Sequence, residues 1–406
     1  MQSKAKKLIE MIQTAPVEWK PLGEIGLIYG GLTGKNKYDF ENGNSKYVTY
    51  KNIFDNIEVD LNNLGTVRVN TGEKQHCIKY GDILFTGSSE TADEAGMSSV
   101  VTSKFDEMIF LNSFSFGFRF NENIIIPEFA KYLFRSYFIR KEIIKTASGV
   151  TRFNISKERF KKIKIPIPPL ETQQKIVKIL DKFTELEATL EAELALRKRQ
   201  YRYYRNFLLD FDNQIGGGIA DSYKGRLKDV VWKMLGEVSD IKVGKSPETN
   251  EIGNYPFINA GTIPSGYIAS YNTEPDTITT PSRGQGGIGY VGYQASKFWC
   301  GPLCYRVRSN NNLIMTKFLY YVMSKDMSKI INLANMAGIP ALNKKDLVNF
   351  LIPIPPLAEQ EKIVAILDKF DTLTHSISEG LPHEIALRRK QYEYYREQLL
   401  AFPKAA

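Results

Sequence analysis

Apolar residues recur in steps of three and four along residues 171–209, which is the spacing of one stripe on an α-helix. The stripe consists of Ile176, Leu180, Phe183, Leu190, Leu194, Tyr201, Tyr204 and Leu208. Prolines at 166, 168 and 169 exclude helix before Leu170, so the pattern predicts one helix from about Glu171 to about Leu209. An amphipathic helix of this length needs a partner that covers its apolar stripe.

A second copy of the same pattern supplies that partner. The sequence Ile-Pro-Ile-Pro-Pro-Leu at 165–170 returns at 352–357, and the helical residues that follow it return at 361–370 and 387–396. The apolar stripe of the second copy consists of Ile363, Leu367, Phe370, Ile377, Leu381, Ile385, Tyr392, Tyr395 and Leu399. The two stripes predict an intramolecular antiparallel coiled coil. The alternative is a pair of unrelated helices, each of which lies on its own domain.

The second helical copy contains four extra residues, which interrupt the heptad pattern as a stutter. Gly380 and Pro382 fall inside this insertion. We therefore expect a break near 380–382 and a fresh helix that is capped just before Glu384.

The repeat is larger than the helix. Val-Glu-Trp-Lys-Pro-Leu-Gly-Glu-Ile at 17–25 resembles Val-Val-Trp-Lys-Met-Leu-Gly-Glu-Val at 230–238, so each copy is a globular domain followed by one long helix. The predicted order is an N-terminal helix (1–16), a first globular domain (17–164), a first helix (165–211), a Gly-rich linker (212–229), a second globular domain (230–351) and a second helix (352–402).

The two globular domains contain short β-rich runs separated by Gly, Asn and aromatic residues, which predict an α+β fold with strongly bent sheets. Residues 47–53 correspond faintly to 257–263, and residues 147–154 to 337–343, where a polar loop precedes the final strand. The domains diverge strongly although the helices are nearly identical. We interpret the helices as a shared frame and the domains as two readers of different targets.

Net charge and hydropathy narrow the class of partner. The chain has 54 Lys and Arg against 45 Asp and Glu, a net charge of +9, which fits a polyanion but is shared by many proteins without one. The first 16 residues lack the apolar core of a signal peptide, and no run of about 18 apolar residues occurs, so we expect a cytoplasmic protein without a membrane partner. Cys77, Cys300 and Cys304 are then expected to be reduced, and their spacing matches no standard zinc site.

The residues of a catalytic site are missing from the sequence. Gly244-Lys-Ser246 has the end of a phosphate-binding loop, but Ser239 stands where the first glycine is needed. The Gly-rich segment 284–289 has the spacing of a turn rather than of a dinucleotide-binding loop. Two of the three histidines, His375 and His383, lie in the second helical region. We therefore predict a chain that is not an enzyme and holds no metal.

Basic and polar residues at loops and strand ends suit contacts to DNA, because Lys and Arg bind phosphates while Arg, Asn, Gln and Thr also read base edges. The candidates are Lys35, Lys37, Lys51, Arg68, Arg119, Thr151, Arg152 and Asn154 in the first domain, and Lys245, Arg283, Gln285, Arg306, Arg308 and Lys344 in the second. For each cation the alternative is an ordinary solvated surface charge. The basic run at 197–205 fits solvent or a partner subunit better than DNA.

The Pro-rich junctions, the Arg-Gln-Tyr-x-Tyr-Tyr-Arg helix ends and the Trp-Lys-x-Leu-Gly-Glu openings closely resemble the specificity subunit of type I restriction-modification systems. The resemblance covers essentially the whole chain. It implies two target recognition domains that each read one half of a split DNA site and are held apart by the coiled coil.

The same resemblance implies partners and cofactors outside this chain. Two modification subunits would methylate adenine with S-adenosylmethionine, and restriction subunits would translocate and cut double-stranded DNA with ATP and Mg²⁺. A different class stays open, namely a structural adaptor whose coiled coil scaffolds a protein complex without reading DNA. A stand-alone nuclease or methyltransferase is a weaker alternative, because its motifs are missing.

Overall fold

The structure is a computed structural model that describes residues 2–14, 17–41, 43–211, 230–249 and 251–403. The chain divides into two compact units. Unit 1 contains Met1–Leu190 and Ile385–Ala406, and unit 2 contains Glu191–Glu384. The linker predicted at 212–229 lies outside the described residues.

Unit 1 contains short strands and short helices before one long helix begins. Its strands are β1 (Glu18–Pro21), β2 (Gly26–Gly30), β3 (Ser45–Val48), β4 (Gly65–Val67), β5 (Ile83–Thr86), β6 (Ser88–Ser89), β7 (Ser98–Val100), β8 (Ile109–Leu111), β9 (Ser115–Phe120), β10 (Ala147–Ser148), β11 (Phe153–Ile155) and β12 (Lys164–Ile167). Its helices are α1 (Gln2–Thr14), α2 (Leu22–Ile25), α3 (Tyr50–Asp55), α4 (Pro127–Leu133), α5 (Tyr137–Ile144), α6 (Lys157–Lys161) and the start of α7 (Leu170–Leu208), with a 3₁₀ helix at Lys37–Phe40.

Unit 2 repeats this plan with fewer elements. Its strands are β13 (Val231–Met234), β14 (Ser239–Val243), β15 (Ile252–Ile258), β16 (Gly266–Ile268), β17 (Thr277–Pro281), β18 (Gly292–Gln294), β19 (Trp299–Cys300), β20 (Cys304–Ser309) and β21 (Leu351–Ile354). Its helices are α8 (Leu235–Val238), α9 (Thr316–Lys325), α10 (Met327–Asn332), α11 (Lys344–Leu347), α12 (Leu357–His375) and the start of α13 (Gly380–Leu399), together with the end of α7.

Corresponding strands have the same order in the two units. The four-stranded sheet is β2-β9-β5-β7 in unit 1 and β14-β20-β17-β18 in unit 2, and every neighbouring pair is antiparallel. The three-stranded sheet is β4-β3-β8 in unit 1 and β16-β15-β19 in unit 2, and in each the second pair is parallel. Helices pack against these mixed sheets, so the predicted α+β class is confirmed.

The Trp-containing openings and the Pro-rich junctions form a two-stranded ladder in each unit. Trp19 pairs with Pro166 in β1–β12, and Trp232 pairs with Pro353 in β13–β21. Proline is tolerated in such a ladder because a two-stranded sheet consists of edges, where an N–H donor is not required. This ladder places the end of each globular domain next to the start of its long helix.

Two glutamines explain why the helical sequences that follow the junctions are so similar. Gln173 donates to the carbonyls of Ile124 and Pro168, both at 2.8 Å, and accepts from the N–H of Ile126 at 2.9 Å. The corresponding Gln360 makes the same three bonds, at the same distances, with the backbone of Leu313, Pro355 and Met315. Each glutamine therefore attaches a globular domain to its helix through backbone groups, which are present whatever the side chains of that domain are.

A tyrosine and an aspartate make a second attachment of the same kind. The hydroxyl of Tyr132 donates to Asp181 at 2.6 Å, and that of Tyr321 donates to Asp368. Lys131 and Lys317 approach the same two carboxylates at 3.1 Å and 3.4 Å. Burial and the adjacent carboxylate raise the pKa of both tyrosines above the usual value, so they remain donors at physiological pH.

Replacing Gln173 by Ala is expected to lower the free energy of unfolding of unit 1 by about 2–3 kcal/mol. The variant would leave the part-buried N–H of Ile126 and two carbonyls without their partner. Chemical denaturation followed by fluorescence measures the change. Gln174→Ala is the matched control, because Gln174 is exposed and its loss should matter by less than about 0.5 kcal/mol. Equal effects of the two substitutions would contradict the attachment role of Gln173.

Several of the predicted seam residues contact an antiparallel helix of the same unit. In unit 1 the ring of Phe183 stacks on that of Tyr395, and Glu187 pairs with Arg389 at 2.5 Å. The later residue of α7 contacts the earlier residue of α13, which shows that these two helices are antiparallel. Ile176, Leu180 and Leu399 are buried in the same core.

In unit 2 the rings of Tyr201 and Tyr204 lie against Phe370 of α12. Leu208, Ile363 and Leu367 are buried in the core of this unit. The remaining seam candidates are Ile385, which is buried, and Leu190, Leu194, Leu381 and Tyr392, which are half-buried.

The break in the second helix lies earlier than the sequence indicated, between the end of α12 at His375 and the start of α13 at Gly380. Gly380 has φ +74°, and a Cβ there would lie 2.4 Å from the carbonyl oxygen of Thr372, so the chain turns where only glycine fits. Pro382 lies in the first turn of α13, where a backbone N–H would have no acceptor within the helix, so the N–H that proline lacks is not needed there. Ile377, predicted as a seam residue, therefore lies outside both helices and is 87% exposed.

Candidate nucleic-acid interface

Three segments that are far apart in the sequence meet on one side of the domain in unit 1. The hydroxyl of Tyr50, at the start of α3, donates to the carbonyl of Ser88 at 2.8 Å. Strand β11 pairs with β6, so that Asn154 lies opposite Ser88, and the N–H of Ile155 donates to the carbonyl of Gly87. These three segments, residues 49–54, 87–96 and 147–155, form a surface that we call the loop face of unit 1. Residues 112–115 border it, since the N–H of Gly87 donates to the carbonyl of Phe114.

A cleft of about 320 Å³ opens in the loop face of unit 1. Its walls are Tyr50, Phe54, Ser88, Ser89, Glu90, Glu94, Phe114 and Arg152. The rings of Tyr50 and Phe54 are stacked with centroids 6.1 Å apart, and Phe114 is 63% exposed at the rim. The cleft thus combines aromatic surface with two carboxylates and one guanidinium group.

Two arginines, the buried Arg140 and the half-buried Arg135, hold the backbone around this cleft. Arg140 donates to the carbonyls of Asp93, Ala95 and Gly96 at 2.8, 2.9 and 2.5 Å. Arg135 donates to the carbonyls of Ile53, Phe54, Asn56 and Ser98. Burial lowers the pKa of both guanidinium groups to about 10, which leaves them charged at neutral pH. The cleft is therefore supported by fixed backbone on two of its sides.

The hairpin between β10 and β11 carries several of the predicted DNA contacts. Gly149 has φ +146°, and a Cβ at this position would lie 1.9 Å from the carbonyl oxygen of Arg152, so the turn requires glycine. This tight turn presents Thr151, Arg152 and Asn154 to solvent, and Arg152 reaches the cleft. Lys51, on the exposed side of α3, belongs to the same loop face.

The corresponding three segments also meet in unit 2. The N–H of Gly284 donates to the carbonyl of Pro340 at 3.0 Å, and the N–H of Leu342 donates to that of Ser282 at 2.9 Å. A Cβ on Gly287 would lie 1.9 Å from the carbonyl oxygen of Ala260, so these segments touch. Residues 257–263, 282–291 and 335–343 form the loop face of unit 2.

The side chains of the second loop face differ from those of the first. Arg283 and Gln285 are exposed there, and Lys344 follows it at the start of α11. Three large apolar side chains, Ile263, Met336 and Ile339, are between 59% and 74% exposed. The acidic and aromatic cleft of unit 1 is thus replaced by a glycine-rich loop with apolar tips.

Four of the predicted cations lie elsewhere on the units. Lys37 and Arg68 are exposed and neighbour each other, since the N–H of Arg68 donates to the carbonyl of Asp39 at 2.7 Å. Lys245 is exposed after β14, and Arg308 is exposed on β20. The structure does not bring these four residues into either loop face.

Three predicted DNA contacts are engaged inside the fold instead. The side chain of Lys35 is 5% exposed and pairs with Glu73 at 2.6 Å. This pairing, together with hydrogen bonds from Gln75 and the N–H of Asn70, lowers the pKa of the Glu73 carboxyl to about 2. Arg119 donates twice to Asp82, at 2.7 Å each.

Arg306 donates to the carbonyl of Asn272 at 2.8 Å and to the hydroxyl of Thr273 at 3.1 Å. Donors that are bound to internal acceptors must give up those bonds before they can contact phosphates or bases. A DNA contact by Lys35, Arg119 or Arg306 therefore stays a prediction, and the structure shows each of them in an internal hydrogen bond or ion pair.

The sequence-based search missed the residues that line most of the cleft. The sequence-based candidates for DNA contacts are basic, amide or hydroxyl-bearing residues. Most of the cleft is instead lined by aromatic and acidic residues, namely Tyr50, Phe54, Glu90, Glu94 and Phe114. A signal was present: the segment Gly-Ser-Ser-Glu-Thr-Ala-Asp-Glu-Ala-Gly at 87–96 is polar, bounded by glycines and follows a fully buried strand.

The described residues contain neither a cluster of metal ligands nor a helix that could span a membrane. No three His, Cys, Asp or Glu side chains in that part of the chain are placed to hold an ion. None of the described helices is both long and apolar enough to cross a bilayer.

Comparison with known proteins identifies the family. The family described as type I restriction modification DNA specificity domain matches residues 16–196 and again 228–387. The specificity subunit of the type I restriction enzyme EcoR124I/EcoR124II from Escherichia coli is 37% identical over 279 residues, which cover 62% of this chain and 65% of that subunit. The match thus spans a little under two thirds of that relative. The type I restriction enzyme MpnII specificity subunit of Mycoplasma pneumoniae is 28% identical over 64% of this chain and 94% of its own.

Solved structures share the fold at low sequence identity. The S subunit of a type I restriction-modification system from M. genitalium superposes with a TM-score of 0.57 at 18% identity, and covers 97% of this chain and 98% of its own. A chain from a structural study of complex assembly in the type I R-M system gives a TM-score of 0.59 at 20% identity, over 95% and 97%. The family match covers both repeated halves of the sequence, and the chain therefore belongs to the type I restriction modification DNA specificity family.

Proposed function

We propose that this chain is the DNA-recognition subunit of a cytoplasmic type I restriction-modification complex, in which each loop face reads one half of a bipartite site. One observation carries the proposal. The same three segments converge in both units, but the side chains they present are different. A duplicated frame with two different polar surfaces fits a protein that reads two different short sequences.

The chain itself is proposed to be non-catalytic. Two modification subunits would methylate adenine with S-adenosylmethionine, and restriction subunits would use ATP and Mg²⁺ to translocate and cut DNA. This chain would bring both activities to the correct site. The net charge of +9 supports attraction to duplex DNA, because neutralising phosphates releases condensed counterions.

Arg152 provides the direct test of the proposed function. The complex with modification subunits is expected to bind its duplex site with strong salt dependence, and Arg152→Ala is expected to weaken that binding by about 1–3 kcal/mol if Arg152 reads a base. If Arg152 contacts a phosphate instead, the slope of log K against log salt should flatten by about one unit. Fluorescence anisotropy over a range of salt concentrations measures both quantities.

Lys7→Ala is the matched control, because Lys7 is an exposed cation on α1, a helix that is not one of the segments of the loop face. Both substitutions remove one positive charge from unit 1. Equal binding by the two variants and the wild type would refute a DNA role for Arg152. If the wild-type complex fails to bind duplex DNA under any salt condition, the chain is a structural adaptor instead.

A further inference from the structure

Glu94 is anchored in the cleft of unit 1 through both its side chain and its backbone. Its Oε2 atom accepts a hydrogen bond from the buried Ser89 Oγ at 3.2 Å. The carbonyls of its two chain neighbours, Asp93 and Ala95, both accept from Arg140, so the backbone is fixed on each side of it. One carboxylate oxygen is thereby anchored and the side chain faces the cleft.

A fixed carboxylate is unusual on a surface that faces DNA, because it repels the phosphate backbone. An ionised carboxylate can only accept hydrogen bonds. In the major groove the donors that match it are the exocyclic amino groups, N4 of cytosine and N6 of adenine. Guanine and thymine present acceptors at the equivalent positions and would be rejected.

We propose that Glu94 reads one base pair of the half-site recognised by unit 1, by accepting a hydrogen bond from an exocyclic amino group in the major groove. The inference rests on the proposed function and deepens it. Arg152, which lines the same cleft, would offset the repulsion between the carboxylate and the nearest phosphates. Arg140 acts as a positioning residue, since it fixes the backbone that carries Glu94.

The corresponding loop of unit 2 offers no such group. Its residues 282–291, Ser-Arg-Gly-Gln-Gly-Gly-Ile-Gly-Tyr-Val, lie between β17 and β18 as residues 87–97 lie between β5 and β7, and they contain no carboxylate. The proposed reading by a carboxylate therefore belongs to one half-site, and the other half-site serves as an internal control.

The test uses the whole complex, reconstituted with its modification subunits and S-adenosylmethionine. Methylated adenines are mapped by sequencing of a random-sequence DNA library for the wild type, Glu94→Gln and Glu90→Gln. Glutamine keeps an acceptor for Ser89 but adds an amide donor, and it pairs well with adenine. Glu90 lines the same cleft and is exposed, so its substitution makes the same change of charge without altering the anchored carboxylate.

For Glu94→Gln we expect discrimination at one position of one half-site to fall by roughly 10- to 100-fold, or to shift toward adenine, while the other half-site is unchanged. Glu90→Gln should leave every position as in the wild type. The same preference in wild type and Glu94→Gln, or a change in Glu90→Gln alone, would overturn the inference and leave the proposed function intact. A wild-type complex without any bipartite preference would overturn the proposed function itself.

Discussion

Exchanging residues 22–163 for the corresponding domain of another family member is expected to change one half of the methylated site and leave the other half as it was. These boundaries keep β1 and β12, so the ladder at the junction stays native. The attachments of Gln173 use backbone groups of the domain, which a foreign domain also offers. The loop face, in contrast, is replaced as a whole.

Sequencing of methylated DNA from cells that carry the hybrid and its modification subunits measures this outcome. A hybrid with its own residues 22–163 restored is the control for assembly. The reciprocal exchange of 235–350, which keeps β13 and β21, should change the opposite half. A hybrid that changes both halves at once would show that the loop faces do not read DNA independently.

Lengthening α7 is expected to widen the unread gap between the half-sites by one base pair. The helix is continuous from Leu170 to Leu208 and passes from unit 1 into unit 2 after Leu190. Its sequence contains Glu-Ala-Thr-Leu at 187–190 followed by Glu-Ala-Glu-Leu at 191–194. A further Glu-Ala-Glu-Leu after Leu194 would add about 6 Å and a net rotation of roughly 40°.

One base pair of B-DNA rises by about 3.4 Å and turns by about 35°, so the rotation fits one added pair and the rise fits one or two. Ala and Leu keep helix propensity high in the inserted turn, although the seam acquires a stutter. Thr189→Glu is the matched control, because it creates a second Glu-Ala-Glu-Leu without a change of length, and Thr189 is exposed. If the insertion variant stays active with the original gap, the spacing is set by the partner subunits.

The helices could be predicted well because their signal is local and repeated. The spacing of Ile176, Leu180 and Phe183 alone predicts that they share one face of the helix, and all three are buried in the same core. The second copy of the helical sequence has the same spacing. The predicted break lies a few residues too late, because a stutter shows that residues are added but not where the chain leaves the helix. The positive φ of Gly380 sets where the chain turns before α13. Ile377 precedes this turn and is exposed, so it does not pack in the seam.

The loop face of unit 1 could be predicted only in part from the sequence, because its geometry depends on hydrogen bonds between residues that are far apart in the sequence. The sequence places Arg152 and Asn154 in a polar loop before a final strand, and the structure shows that this loop belongs to the loop face of unit 1. The ion pair of Arg119 could not be predicted, because its acceptor, Asp82, is 37 residues away and comes close only when β5 and β9 pair. The sequence alone does not show which Lys and Arg side chains form an ion pair within the fold.

The division of the long helices between the units has a consequence for synthesis on the ribosome. Unit 2 is one uninterrupted segment, whereas the core of unit 1 also needs Tyr395, Leu399 and Phe402 from the far end of the chain. The domain that emerges first is therefore the last to be completed. At translation rates of about 5–20 residues per second, roughly 10–40 s pass between the synthesis of Leu180 and Phe183 and that of Tyr395, Leu399 and Phe402. During that interval the nascent chain exposes an apolar helical surface that general chaperones recognise.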